Sequence, residues 1–184
     1  MTIDGNTLLQ LARAAIAQRL ERTADLPARA AWLEKTGACF VTLKAHGQLR
    51  GCIGSLEARQ ALYDDVVHNA VAAAVRDPRF PPLSATELND VEIEVSLLSP
   101  AAPVNFFDER DALAQLRPGM DGIILEYGAH RATFLPQVWE DLPQPQRFLA
   151  HLKRKAGLPE DFWSDDIRLS RYTVQKFTED ARNG

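Results

Sequence analysis

Apolar residues recur three or four positions apart from Leu8 through Leu11, Ala12, Ala15 and Ile16 to Leu20. That spacing predicts an amphipathic helix over 7–20, with Asn6 as its N-cap. A broader stripe of Leu62, Val66, Val67, Ala70, Val71, Ala74 and Val75 predicts a second helix over 60–76, flanked by His68 and Asn69. Asp77-Pro78 ends it, because the residue before proline avoids helical backbone. Arg79-Phe80-Pro81-Pro82 follows as a stiff, extended connector. A short helix over 108–116 takes Asp108 as its cap. Another over 144–156 turns Phe148, Leu149, Leu152 and Ala156 inward, with Gly157 as C-cap and Pro159 as a stop.

Other segments alternate with a period of two. Residues 38–44 and 48–54 read as strands joined by a turn at His46-Gly47. A two-residue turn pairs Ala45 with Gln48 and Val41 with Cys52. Cys39, Val41, Leu43, Arg50 and Cys52 then share one face, unless a slip or a bulge at a glycine shifts the register. Ser84-Ala85-Thr86-Glu87 fits a capping box. In 91–97, Val91, Ile93, Val95 and Leu97 take one face, and Glu92, Glu94 and Ser96 the other. Residues 122–127 and 131–135 form a second hairpin through Gly128-Ala129, and 167–177 a last strand. Two hairpins predict α+β: an antiparallel sheet with flanking helices, rather than a doubly wound fold. The 184 residues suffice for one domain, and Pro100–Pro103 is the best place for a boundary between two lobes.

A formal net charge of -4 argues against a nucleic-acid partner. The start, Met-Thr-Ile-Asp-Gly-Asn, has no basic stretch leading into an apolar one, so no leader is expected. No apolar run approaches the ~20 residues that span a bilayer. Cys39 and Cys52 are the only cysteines, which suits a reducing cytoplasm.

The segment richest in chemistry is Leu49-Arg50-Gly51-Cys52-Ile53-Gly54. Two glycines strip side-chain bulk from around a thiol, so that a ligand or a second strand could come close. Cys52 is the candidate nucleophile or redox thiol if a nearby cation stabilises its thiolate. Otherwise it is a small hydrophobe in a strand. Arg50 and Arg79 are candidate anion anchors, because a guanidinium grips carboxylate or phosphate with two N–H groups. For Arg79 the alternative is a salt bridge to Asp77. Glu92 and Glu94 offer paired carboxylates for acid–base work, or merely a solvated strand face. His68 is a distant candidate partner for Cys52. His46, His68, His130 and His151 show no metal-ligand spacing, and neither a metal nor a cofactor is expected. Lys153, Arg154 and Lys155 oppose a helix dipole.

The chain resembles the AMMECR family, also called AmmeMemoRadiSam system protein A. The resemblance rests on Gly37-Ala-Cys-Phe-Val-Thr-Leu, the hexapeptide at 49–54, Asp77-Pro-Arg-Phe-Pro-Pro82 and Val91-Glu-Ile-Glu-Val-Ser-Leu-Leu98. It continues in Gly119-Met-Asp-Gly-Ile123, Ala132-Thr-Phe-Leu-Pro-Gln-Val138 and Lys155-Ala-Gly157. It implies an α+β protein with a larger and a smaller lobe and the hexapeptide beside a cleft between them. It also implies Memo-like and radical-SAM partners, and no established reaction. Cys39 stands where the family suggests a plain apolar residue. Three readings follow: a cytoplasmic binder of a small polar or anionic ligand, with Arg50, Gly51, Cys52, Gly54, Arg79 and Glu94 around it; an enzyme using Cys52; or an interaction domain whose hexapeptide is structural.

Overall fold

A computed structural model of the chain describes residues 3–179. The opening residues read for a leader lie partly outside that range. The described chain holds α1 (Gly5–Arg19), β1 (Thr36–Ala45), β2 (Gln48–Gly54), β3 (Gln60–Ala61), α2 (Leu62–Val75), β4 (Val91–Leu98) and β5 (Ala102–Val104). It continues with α3 (Glu109–Gln115), β6 (Gly122–Tyr127), β7 (His130–Phe134), α4 (Pro145–Lys155), β8 (Arg168–Tyr172) and β9 (Val174–Thr178). The α+β expectation holds: helices accompany two sheets, and each hairpin pairs antiparallel.

The chain divides into two compact units. The first comprises residues up to Leu98 and from Gln175 onward, and the second Ser99–Val174. In the first, the sheet order is β2-β1-β4-β9, with β3 paired to the start of β1. One face of this sheet is apolar. Cys39, Val41, Leu43, Val91, Ile93 and Val95 pack under α1 and α2 against Leu8, Leu11, Ile16, Val66 and Ala70. Burial of these side chains supplies the main stabilising term. α1 starts two residues earlier than its apolar spacing implies. Asp4, not Asn6, is its N-cap, accepting the Asn6 N–H at 3.0 Å and the Thr7 hydroxyl at 2.7 Å.

In the second unit the sheet order is β5-β8-β6-β7, antiparallel throughout. Its core gathers Ile123, Leu125, Phe148, Leu149, Leu152 and Leu169. Phe148 stacks on Trp139 at 3.7 Å between ring centroids. Asp108 caps α3, and Gly157 follows α4 with φ +81°, both as the sequence predicts. The segment 167–177 is not one strand. It breaks at Thr173, whose N–H and carbonyl both bond to Ser99, so β8 and β9 serve different sheets.

Candidate functional site

The geometry around Cys52 begins with one extra residue. His46 (φ 51°) and Gly47 (φ 74°) make the two-residue turn, and Ala45 pairs with Gln48 as expected. Lys44 then pairs with Leu49, but Leu43 pairs with Gly51, leaving Arg50 bulged. A bulge shifts the period of two by one, which exchanges the faces of every residue beyond it. Cys52 therefore lies opposite Thr42, not Val41. The face predicted to unite Cys39, Val41, Leu43, Arg50 and Cys52 does not form. The first three are buried under the helices, whereas the Cys52 thiol is on the other side of the sheet.

On that second face, side chains line up across three strands. The Thr42 hydroxyl donates to Cys52 Sγ at 3.3 Å. Glu94 pairs with Thr42 from β4. Its carboxylate accepts a hydrogen bond from Lys44 Nζ at 3.1 Å and lies 3.9 Å from Lys176 Nζ. Glu92 pairs with Lys44, and Ser96 with Phe40, so Glu92, Glu94 and Ser96 share a row as the alternation predicts.

The two glycines are accounted for by packing. A Cβ on Gly51 would collide with the Ala73 carbonyl of α2, and one on Gly54 with the Phe40 ring. The space their missing side chains leave is filled by the protein's own atoms.

The two arginines have different attachments. Arg50 is only 13% exposed. It donates to Glu87 at 3.2 and 3.3 Å and to the Pro81 carbonyl at 3.0 Å, fastening the 81–87 segment to β2. Glu87 also accepts the Ser84 N–H at 2.8 Å, while Ser84 Oγ accepts the Glu87 N–H at 3.3 Å, completing the predicted capping box. The Ser84 backbone and hydroxyl, then Arg50, hold the Glu87 carboxyl below its ordinary range.

Arg79 is tied to the buried Asp77. Its Nε and Nη2 donate to the carboxylate at 3.0 and 2.7 Å, and its backbone N–H donates at 3.1 Å. The same carboxylate accepts the Cys52 N–H at 2.9 Å, and Arg79 Nη2 reaches the Cys52 carbonyl at 3.4 Å. Arg79, then these backbone donors, hold the Asp77 carboxyl well below the carboxylate range. Asp77 in turn holds the Arg79 guanidinium above its ordinary range. The Arg79 side chain is still 54% exposed, and its Nη1 has no hydrogen-bond partner among the described residues.

Other candidates separate from this cluster. His68 is exposed on α2, which packs on the opposite side of the sheet from the Cys52 thiol. Asn69 does not flank its helix. It is buried, donating to the Cys39 carbonyl, Ser55 Oγ and the Asp65 carboxylate at 3.0–3.1 Å. Asp65 also accepts from the Cys39 N–H, Ser55 Oγ and Gln60 Nε2. This network was missed in the sequence. Its only signal is two polar residues, Asp65 and Asn69, four apart inside an apolar helix. Burial, then the Asp65 charge, pushes the Cys39 thiol well up. Lys153, Arg154 and Lys155 lie in the last turn of α4 as expected, and Lys153 is in addition buried: it is 1% exposed and bonded to Glu109 Oε1 at 2.5 Å and to the Glu160 carbonyl. Among the described residues no three His, Cys, Asp or Glu side chains are grouped to hold a metal, and no helix is long and apolar enough to cross a membrane.

The AMMECR1 family model matches residues 9–177. The chain belongs to the AMMECR1 family. A family relative from Methanothermobacter thermautotrophicus is 39% identical over 97% of this chain and 95% of its own length. One from Thermotoga maritima is 40% identical over 78% of this chain and 79% of its own. The crystal structure of an uncharacterised Pyrococcus horikoshii protein superposes with a TM-score of 0.80 at 32% identity, covering 98% of this chain and 93% of that one.

Proposed function

We propose that this AMMECR1-family chain binds a small polar or anionic ligand on the Cys52 face of its first sheet. The observation that carries this is the Asp77–Arg79–Cys52 constellation. One carboxylate fixes both the backbone of the thiol-bearing residue and a guanidinium whose outer edge stays open. An arginine already held in place loses little freedom when it meets an anion. Gly51 lets α2 pack against the back of the strand and Gly54 lets Phe40 pack beside it, Arg50 steadies the neighbouring segment, and Glu94 with its lysines bounds the site. In this reading the protein works in the cytoplasm with Memo-like and radical-SAM partners. Calorimetric titration with a panel of carboxylates and phosphates tests it. Binding by the wild type that Arg79→Ala abolishes supports the site, whereas no binding by the wild type removes it.

A second reading has Cys52 as nucleophile or redox thiol. The Thr42 hydroxyl, which donates to Sγ and so fixes the direction in which a partly exposed thiol points, favours it. Alkylation that stays fast well below pH 8 supports this reading. Alkylation that tracks an unperturbed thiol removes it.

A further inference from the structure

In the second unit an open groove of about 790 Å³ is lined by Asp108, Arg110 and Leu113 on one side and by Pro145, Gln146 and Trp163 on the other. Beside its rim stands Phe107, 97% exposed. The ring is not on a loose loop. The Phe107 N–H donates to Asp111 at 3.0 Å, and Asp108 accepts the Asp111 N–H at 2.8 Å, so the end of α3 presents it. The preceding Phe106 turns inward against Trp163 at 5.6 Å between centroids. Two consecutive phenylalanines therefore divide, one packing behind the groove and one standing in water.

An apolar knob beside an apolar groove is a self-complementary surface, because a two-fold axis places each knob in the other copy's groove. The charges at the rim fit the same operation. Arg110 has no ion-pair or hydrogen-bond partner among the described residues, and the second carboxylate oxygen of Asp108 has none either.

We infer that this chain pairs with a second copy of itself, each Phe107 entering the other copy's groove against Leu113 and Trp163, flanked by reciprocal Arg110–Asp108 ion pairs. Sedimentation equilibrium of the full chain, from about 1 to about 200 µM, tests this in the range where modest interfaces dissociate. The wild type is expected to dimerise reversibly. Phe107→Ser should raise the dissociation constant about 30-fold, as for other buried aromatic anchors, without moving the unfolding midpoint. Arg110→Asp should weaken the dimer as well, and added salt should loosen the wild-type dimer more than this variant's. A wild type that stays monomeric throughout overturns the inference, as does a dimer that Phe107→Ser leaves unchanged.

Discussion

Asp77 holds Cys52 by its backbone: the carboxylate accepts the Cys52 N–H at 2.9 Å, while the thiol points elsewhere, to Thr42. The aspartate that ends α2 thus fixes the position of the cysteine without touching its sulfur. Asp77→Asn keeps the shape and one acceptor but turns an amide N–H₂ toward the Arg79 guanidinium. We expect a loss of about 2 kcal/mol in folding stability, the usual scale for a hydrogen-bonded buried charge, read by urea denaturation.

The same carboxylate sets an acid limit. Asp77 and Glu87 are both held below their unfolded values. Their contribution is complete above the unfolded carboxylate pKa near ~4 and is lost as pH falls below it, because the unfolded chain then binds more protons. Stability measured from about pH 5 downward should fall, and Asp77→Asn should remove up to one proton's worth of that slope. An unchanged slope in the variant would show that Asp77 is not depressed.

Both glycines of the hexapeptide should resist a side chain. A methyl on Gly51 meets the Ala73 carbonyl, which can retreat only if α2 moves. Gly51→Ala is expected to cost about 2–3 kcal/mol, as overpacking against backbone does. A methyl on Gly54 meets the root of the Phe40 ring and the Phe40 backbone, so turning the ring does not clear it. Gly54→Ala should cost a similar amount, which urea denaturation of the two variants can check; a much smaller loss in either would show that the neighbouring backbone yields.

The two cysteines should behave as unlike reagents. Cys52 is partly exposed on one side of the sheet and Cys39 fully buried on the other. Iodoacetamide followed by peptide mass spectrometry should label Cys52 in the native protein and Cys39 only after unfolding. No disulfide between them should form on oxidation of the folded chain. Native labelling of Cys39 would contradict the packing described.

Much of the fold was legible because its signals are local. The stripe on α4, the Gly157 cap, the Asp108 cap and the Ser84/Glu87 box each need only neighbours in sequence. The alternation of Glu92, Glu94 and Ser96 likewise identified the polar face. What escaped depends on partners far along the chain. The glycines admit a bulge in 48–54, but nothing there marks Arg50 as the extra residue; that is set only when Gly51 must sit under α2 and oppose Leu43. Lys153 is legible as a helix-end cation, but its burial is not, because its partner Glu109 is 44 positions away. Asp65 and Asn69 are polar letters in an apolar helix, and their meaning depends on Cys39 and Ser55. The site shows the same division. Residue types at 50–54 and 79 were conspicuous, but which arginine fastens a segment and which keeps an open edge is decided by Glu87 and Asp77.

β2 is the terminal strand of its sheet, and Asp77 and Arg79 occupy the hydrogen-bonding positions of Cys52 that face away from β1. Two side chains here stand in for the strand that is missing, one supplying an acceptor and the other a donor. An edge completed in this way gives an incoming extended peptide nothing to pair with at Cys52, so the edge resists growth into a larger sheet. A protein that engages this part of the molecule must read its side chains, because the backbone there is already taken.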